Sequence, residues 1–476
     1  MLFNSLGFAL FLPIVFCLYW MLSKKELKWQ NLLLLIASYF FYACWDWRFL
    51  FLLVFSTALD YFTGLQISNS ENKTTRKFWF WSSIIINLGF LTLFKYYNFF
   101  AESFAELLST LGLQVSYSTI NVILPVGISF YTFHGLSYVI DIYNQKIQPE
   151  KNIINYSLFV SYFPLLVAGP IERATHLLPQ VKKKRHFNYE KAMDGVHQII
   201  WGLFKKVVIA DNCAAYVNDI FDHQNEMNTL SLILGAFYFS FQIYGDFSGY
   251  SDIALGTSKL FGIDLLRNFN FPYFSRDIAE FWRRWHISLS SWFRDYLYIP
   301  LGGSSGSTLI KIRNTFIIFL VSGFWHGANW TFLAWGAINA FYFLPLLITN
   351  RNRKNIEIVA KGRVLPSFKD FISIVLTFSL TTLAWVFFRS KTITEAFLYL
   401  KGLLKFEFAV QYLSFEHYSV ELLLIVFCFI CVEWRARNNE HPIQGRAKFL
   451  KTLSLILAIL MFGTFSKVSD FIYFQF

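Results

Sequence analysis

This chain of 476 residues is far more hydrophobic than a soluble protein of the same length. Hydrophobic residues make up 55% and charged residues 15%, against roughly 25% charged residues in soluble domains, and the mean hydropathy is +0.43, which excludes a soluble globular protein. The net charge of +12 does not indicate a nucleic-acid partner, because Lys and Arg cluster between apolar stretches, where they orient a membrane protein.

The distribution of apolar residues predicts an all-α fold in which the chain crosses a membrane many times. About 20 apolar residues span the hydrocarbon core of a bilayer, and stretches of this kind occur roughly eleven times along the sequence. Polar residues suited to chemistry concentrate in the middle of the chain. We therefore expect a single integral membrane domain over residues 1–476, with a catalytic core at about residues 120–345.

The first four predicted crossings set the orientation of the chain. Basic residues follow the first and the third crossing, whereas the segment from Ala101 to Ser118 has none, so the positive-inside rule puts the N-terminus and this segment outside. Apolar residues recur in that segment at helical spacing, which predicts an amphipathic helix, either in the membrane interface or packed on the protein. The four crossings are Leu6 to Leu22, Asn31 to Ala43, Phe49 to Leu65 and Phe78 to Tyr97.

The next part of the chain contains a predicted crossing from Val122 to Ile140 and a shorter apolar stretch from Tyr156 to Ala168. Basic residues flank the shorter stretch on both sides and favour the inner face, which predicts a re-entrant segment or one paired with another short crossing. Gly169 and Pro170 favour a break in the helix, and broken backbone at membrane depth must be buried in protein or line a cavity.

Asp246 lies between two predicted helical stretches, in the polar sequence QIYGDFSGYSD. A carboxylate near membrane depth is a functional candidate because its burial is costly, and a structural partner such as an arginine or a backbone N–H group is the alternative. Gly245 and Gly249 predict a turn here rather than a continuous helix. The remaining apolar stretches are Ile199 to Ala210, Leu230 to Tyr244, Ile253 to Leu260, Ala328 to Ile348, Phe371 to Phe388, Val420 to Cys431 and Leu453 to Phe465.

Two histidines lie in tryptophan-rich and otherwise apolar surroundings. If residues 277–293 form one helix, His286 shares a face with Trp282 and Leu289. His326 lies inside the apolar run FLVSGFWHGANW, where flanking glycines allow close backbone approach. A neutral imidazole in such surroundings can take a proton from a hydroxyl that attacks a thioester, which predicts acyl transfer.

A histidine that only hydrogen-bonds to a neighbouring helix is the alternative for His326, and we expect structural roles for His134, His176 and His197. The motifs GxxxxGK[ST], GxGxxG and HExxH are absent, so nucleotide, dinucleotide and zinc-peptidase sites are not predicted. GxSxG occurs as GGSSG at residues 302–306, but no strand is predicted before it, as a nucleophile elbow requires, so a serine-hydrolase site is not predicted either. We expect no bound cofactor and no metal.

Four segments closely resemble the membrane-bound O-acyltransferase family, and within it the bacterial branch of the alginate O-acetyltransferase membrane subunit. They are PVGISFYTFHGLSYVIDIY, YFPLLVAGPIER, the run from YGDFSGYSDIALG to FRDYLYIPLGG, and FLVSGFWHGANWTFLAWG. The resemblance implies a bundle of membrane helices with re-entrant or interfacial helices around a central tunnel. The family's principal catalytic histidine corresponds to His326, and its second histidine corresponds to His286.

The resemblance also implies an O-acyltransferase of the bacterial inner membrane. Such an enzyme takes an acetyl group from a cytoplasmic thioester donor, either acetyl-CoA or an acyl carrier protein, and passes it to hydroxyls of an exported polysaccharide. An extracytoplasmic partner protein would complete the transfer. D-alanyl transfer to teichoic acid, which uses the same architecture, and a non-catalytic transport scaffold are the alternatives.

Six further residues are candidates for contact with substrate or for lining the tunnel. The tryptophans would exclude water and so limit hydrolysis of the thioester. The two arginines would steer an anionic donor, or would pair with Glu280 and Asp277 as structural residues, and basic inner loops would dock an acidic carrier. The six are Arg283, Arg284, Trp285, Trp325, Asn329 and Asp246.

Overall fold

The computed structural model describes residues 1–113, 119–120, 124–166, 169–408, 419–465 and 471–472. Within these ranges the regular structure is helical throughout, which confirms the predicted all-α fold. The helices of the first half are α1 Leu6–Met21, α2 Leu27–Asp46, α3 Arg48–Asn69, α4 Lys73–Leu91, α5 Tyr97–Thr110, α6 Ile128–Tyr143, α7 Ile153–Ser161, α8 Phe163–Leu166, α9 Ala174–Lys182 and α10 Tyr189–Phe204. Those of the second half are α11 Asp211–Asp222, α12 Thr229–Leu260, α13 Ile278–Arg284, α14 Ile287–Phe293, α15 Thr308–His326, α16 Trp330–Ile348, α17 Phe368–Arg389, α18 Ile393–Leu403, α19 Ser419–Ala436 and α20 Lys448–Phe462.

Six helical segments among the described residues are long and apolar enough to cross a membrane. One face of α1 shows why lipid rather than water must surround them: Leu6, Leu10 and Ile14, spaced by one helical turn, are 77%, 60% and 60% exposed. The chain is thus a multi-pass membrane protein, and the count of roughly eleven crossings stays a prediction. The six segments are Leu6–Lys24, Arg48–Asn69, Lys73–Thr110, Thr308–His326, Trp330–Ile348 and Phe368–Arg389.

The chain forms two compact units. The first consists of Met1–Met193 with Thr257–Leu266, and the second of Asp194–Gly256 with Arg267–Phe476. Both candidate catalytic histidines belong to the second unit. Whether the chain acts as the single domain that we expect from its sequence stays a prediction.

In the first unit, the segment from Ala101 to Thr110 is not a separate helix. It lies in α5, which continues α4 through a π-helical turn at Thr92–Tyr96, and the end of the predicted amphipathic stretch, residues 114–118, lies outside the described residues. Residues 122–123 of the predicted crossing from Val122 to Ile140 are also outside them, and residues 128–140 of it lie in α6. The stretch from Tyr156 is broken earlier than the predicted break at Gly169 and Pro170: α7 ends at Ser161 and the four-residue α8 follows.

In the second unit, α12 runs unbroken from Thr229 to Leu260, so the predicted turn at Gly245 and Gly249 is wrong. The glycines let two backbones touch instead. A Cβ atom added to Gly249 would lie 2.8 Å from the carbonyl oxygen of Gly202 on α10, and one added to Gly256 would lie 2.4 Å from that of Gly195. Small residues favour such close packing between membrane helices, and a single sequence does not distinguish this use of glycine from a turn.

We expect the Gly202→Ala variant to be less stable than the parent protein. The new Cβ atom would lie 2.5 Å from the carbonyl oxygen of Gly249, and forcing extra atoms into a packed interior costs about 1–3 kcal/mol. The thermal unfolding temperature of the purified protein in detergent measures this loss. Gly89→Ala on α4 is the control, because no atom lies within 4 Å of its added Cβ; equal unfolding temperatures for the two variants would contradict the close approach of α10 and α12.

Candidate active site

His286 lies at a break between two short helices. Helix α13 ends at Arg284, Trp285 is extended, and His286 adopts a left-handed backbone conformation with φ of 43° and ψ of 54°. The predicted single helix over residues 277–293 is therefore wrong. Backbone hydrogen bonds to residues 268–270 replace those that a continuous helix would form. The N–H group of Asn270 donates to the carbonyl oxygen of Arg284, and that of Ile287 donates to the carbonyl oxygen of Asn268, each at an N···O distance of 2.9 Å.

The side chain of Asn268 determines which nitrogen of His286 carries a proton. Its amide oxygen accepts from the backbone N–H group of Ser288 at 3.3 Å and from the Ser288 hydroxyl at 2.9 Å, while its amide nitrogen donates to Ser251 Oγ at 3.2 Å. The same oxygen lies 3.1 Å from His286 Nδ1. An oxygen accepts only from a protonated nitrogen, so this network assigns the proton to Nδ1 and leaves Nε2 with a lone pair.

Nε2 of His286 is well placed to act on a ligand. It is buried and has no hydrogen-bond partner within the part of the chain that the structure describes. His286 as a whole is 1% exposed, and it lines a cavity. Burial in apolar surroundings favours the neutral imidazole. The arrangement therefore presents a basic nitrogen rather than a cation to the cavity.

His326 is the last residue of α15, at the tip of a hairpin formed by α15 and α16. The apolar run around it is thus not one continuous helix. The predicted close approach of the backbones is confirmed: a Cβ atom added to Gly323 would lie 2.2 Å from the carbonyl oxygen of Phe332. The imidazole is packed edge-on against the rings of Trp335 and Phe388, with centroid separations of 5.2 and 5.3 Å.

The fold brings the two histidines together across one cavity. Their ring centroids are 6.4 Å apart, and both line a cavity of about 230 Å³, several times the roughly 30 Å³ that one water occupies in the liquid. The cavity has apolar walls with polar groups among them. Its other lining residues are Trp282, Leu289, Ser290, Phe293, Arg294, Tyr298, Ser304, Thr315, Ile318, Phe319, Ser322, Phe343, Asn352 and Arg353.

The two candidate tryptophans surround the histidines without lining the cavity. The Trp325 ring lies 5.9 Å from that of His286 and 4.9 Å from that of His326. The ring centroid of Trp285 lies 5.0 Å from that of Trp385. The Trp385 ring in turn stacks on the Trp335 ring, with a centroid separation of 5.5 Å. The rings form an aromatic layer beside the two histidines, and the exclusion of water by these tryptophans stays a prediction.

Arg283 and Arg284 hold the protein together rather than facing the cavity. The guanidinium of Arg283 donates to the backbone carbonyls of Asn352 and Asn355 at 2.7 and 2.8 Å. The buried Arg284 pairs with Glu280 at 2.8 Å, and Arg276 pairs with the same carboxylate at 3.0 Å. Of the two roles that the sequence left open, these contacts support the structural one, and Arg294 and Arg353 line the cavity instead.

Asn329 and Asp246 also have structural partners. The side chain of Asn329 accepts from the backbone N–H group of Thr331 at 2.9 Å and so caps the start of α16. Asp246 forms a buried ion pair with Lys206 at 2.8 Å and accepts from the N–H group of Ile472 at 2.7 Å. Neither residue is among those that line the cavity.

Two of the histidines expected to be structural have such partners in the first unit. Nε2 of His134 accepts from the backbone N–H group of Glu172 at 3.0 Å, and Nδ1 of His176 lies 2.7 Å from the Glu172 carboxylate. Asn268, by contrast, was not predicted as part of the site. It precedes His286 by 18 residues, and although both lie in a run that resembles the family, no helical or strand spacing links the two positions.

Comparison with known proteins identifies relatives over most of the chain. The membrane-bound O-acyltransferase family matches residues 149–383, which include both cavity histidines. The chain is 41% identical over 398 residues to probable alginate O-acetylase AlgI of Pseudomonas aeruginosa, covering 83% of this chain and 73% of that protein. It is 34% identical to the peptidoglycan O-acetyltransferase of Helicobacter pylori, and the match covers 100% of this chain and 98% of that protein. It is 28% identical to the teichoic acid D-alanyltransferase of Bacillus subtilis, and the match covers 57% of this chain and 70% of that protein.

Proposed function

This chain belongs to the membrane-bound O-acyltransferase family, and we propose that it transfers an acetyl group from a thioester donor to hydroxyls of an exported polysaccharide. The acyltransferase activity follows from the family. Relatives named for O-acetylation of alginate and of peptidoglycan, which match most of the chain, support acetyl as the group transferred. The observation that carries the proposal is the pair of buried histidines, 6.4 Å apart, on one cavity.

In the proposed reaction the two imidazoles act on different hydroxyls of the acceptor. His326 removes the single proton of the attacking hydroxyl as its oxygen attacks the acyl carbon, while the lone pair of His286 Nε2 accepts a hydrogen bond from a neighbouring hydroxyl of the acceptor sugar and so orients it. The bond between the acyl carbon and sulfur then breaks, and the proton passes from His326 to the leaving sulfur. The products are an ester and a free thiol, so no further reactant is needed.

The walls of the cavity support this chemistry. Trp282, Leu289 and Phe319 line it, and the aromatic layer behind the histidines excludes water, which would otherwise hydrolyse the thioester. Exclusion of water also strengthens the hydrogen bonds that the reacting groups make. A cavity of about 230 Å³ suits a small acyl group better than a long acyl chain.

The basic segment from Asn350 to Lys369 supports donor access from the cytoplasm. It contains six Lys or Arg residues and one Glu, so the positive-inside rule puts it on the inner face. Asn352 and Arg353 of this segment line the cavity. We propose that an anionic thioester, acetyl-CoA or an acylated carrier protein, enters past Arg353 under electrostatic attraction, and that an extracytoplasmic partner completes delivery to the polysaccharide.

D-alanyl transfer is the second candidate, because the chain also resembles a teichoic acid D-alanyltransferase. Mass spectrometry of exported glycans from cells with and without this chain distinguishes the two. We expect ester-linked acetyl groups to disappear with the chain and to return with its re-expression. Loss of D-alanyl esters would favour the second candidate, and unchanged esters of both kinds would contradict the proposal.

A further inference from the structure

A second, larger cavity lies between the start of α17 and the end of α19. Its volume is about 1010 Å³, and no residue that lines it also lines the histidine cavity. Apolar side chains form its wall, and none of its lining residues is acidic. They are Phe274, Gly362, Arg363, Val364, Leu365, Pro366, Phe371, Ile374, Ile430, Cys431, Val432, Trp434, Arg435, Arg437 and Asn438. We call it the α17–α19 groove.

One of its three arginines builds the rim of the groove. The guanidinium of Arg437 donates to the backbone carbonyls of Val359, Ala360 and Trp434 at 3.1, 3.1 and 2.6 Å, and to that of Arg363 at 2.5 Å. It also stacks 4.3 Å above the Trp434 ring. These four hydrogen bonds fasten the loop before α17 to the end of α19.

The other two arginines are available to a ligand. Arg363 and Arg435 line the groove and are exposed to its opening. Over the described ranges neither guanidinium forms an ion pair or a hydrogen bond, and no carboxylate lines the groove to neutralise them. Two unpaired positive charges at the rim of an apolar groove favour a ligand that combines an anionic group with a hydrocarbon chain.

The position of the groove points to the membrane as the source of that ligand. Arg363 belongs to the basic segment that the positive-inside rule puts on the inner face, where the leaflet is rich in anionic lipids and basic sites between helices bind their headgroups. The wall of the groove continues into an apolar face of α17, on which Phe371, Ile372 and Leu376 are 54%, 50% and 59% exposed. Such a face is stable only against hydrocarbon.

We propose that the α17–α19 groove binds an anionic phospholipid of the inner leaflet. The phosphate lies between Arg363 and Arg435, and an acyl chain lies against Phe371, Ile374 and Ile430. A zwitterionic lipid binds less well, because its ammonium group would approach the same two guanidinium groups. The proposal does not depend on the acyl-transfer reaction, since the groove and the histidine cavity share no residue.

Native mass spectrometry of the purified protein tests this proposal, with phosphatidylglycerol and phosphatidylcholine titrated separately in detergent. We expect the parent protein to bind phosphatidylglycerol more tightly than phosphatidylcholine. Arg363→Gln combined with Arg435→Gln should weaken phosphatidylglycerol binding at least about tenfold. Each basic side chain near an anionic lipid increases the affinity about fivefold, and the double variant loses two of them. The same variant should bind phosphatidylcholine as the parent does.

Two further variants keep the test independent of folding and of general charge. Lys354→Gln combined with Lys369→Gln removes the same charge from exposed residues of the same basic segment that do not line the groove, and should leave lipid affinity unchanged. Ile430→Trp puts a bulkier ring where the acyl chain would lie while keeping both arginines, and should reduce bound phosphatidylglycerol. Equal weakening by both charge variants, equal binding of the two lipids, or full binding by Ile430→Trp would overturn the proposal.

Discussion

Replacing His326 by alanine is expected to abolish measurable acyl transfer. General-base catalysis typically contributes about 10²–10⁴-fold to a rate, and His326 is one of the two imidazoles on the cavity. Transfer of a radiolabelled acetyl group from acetyl-CoA or an acetylated carrier protein to a soluble oligosaccharide, in membranes that contain the variant, measures the effect. Expression and membrane insertion should be unchanged.

Two control variants separate lost chemistry from lost packing at His326. The imidazole is 3% exposed, so alanine leaves a void that can lower stability by itself. His326→Gln keeps a polar side chain of similar size but has no basic nitrogen, and should be as inactive as alanine while unfolding at a temperature near that of the parent. His197→Ala alters a histidine of the same unit outside the cavity and should remain active. Retained transfer by His326→Gln would rule out the base assignment.

Replacing Asn268 by leucine is expected to reduce kcat by about 10²-fold with little change in KM. Leucine has a similar shape but accepts no hydrogen bond, so His286 Nδ1 would lose its acceptor at 3.1 Å. The imidazole could then carry its proton on Nε2 instead of Nδ1, and Nε2 would have no lone pair to accept a hydrogen bond from the acceptor. Steady-state kinetics of acetyl transfer measure the split between kcat and KM.

Substitutions at and beside Asn268 show whether the hydrogen bond to His286 matters rather than the local fold. Asn268→Asp keeps an oxygen that accepts from His286 and from Ser288, so it should recover most of the activity that leucine removes. Ser288→Ala deletes one donor to the Asn268 oxygen without altering the histidine contact, and should lower kcat by less than about threefold. If aspartate were as inactive as leucine, at equal unfolding temperatures, the positioning role of Asn268 would be wrong.

Several features of the fold could be predicted because they depend on local sequence alone. Hydropathy depends on composition within a window of about 20 residues, so helices such as α1, α3 and α17 were predicted within a few residues of their observed ends. The close approach at Gly323 follows from the absence of a side chain. The motifs around His286 and His326 are also local, and they are sufficient to single out both histidines.

Other predictions failed where a distant segment supplies the deciding contact. Gly249 permits either a turn or a tight helix contact, and the structure shows the second: a Cβ atom added to Gly249 would lie 2.8 Å from the carbonyl oxygen of Gly202. Helical spacing favours one helix through His286, but the hydrogen bonds to Asn268 and Asn270 stabilise a break there. The pair of Arg284 with Glu280 at 2.8 Å, which the sequence left open as an alternative, is by contrast local, because the two residues are four positions apart in α13.

The sequence by itself thus determined the membrane environment, the helical class, the family and the two histidines, since each depends on composition or on a short motif. Only the tertiary structure decided that the histidines share one cavity, which nitrogen of His286 carries the proton, and that neither Arg283 nor Arg284 lines that cavity. Those properties depend on which side chains meet across the fold. Residues such as Asn268 and His286 are 18 positions apart, and no periodicity connects positions whose contact is created by packing.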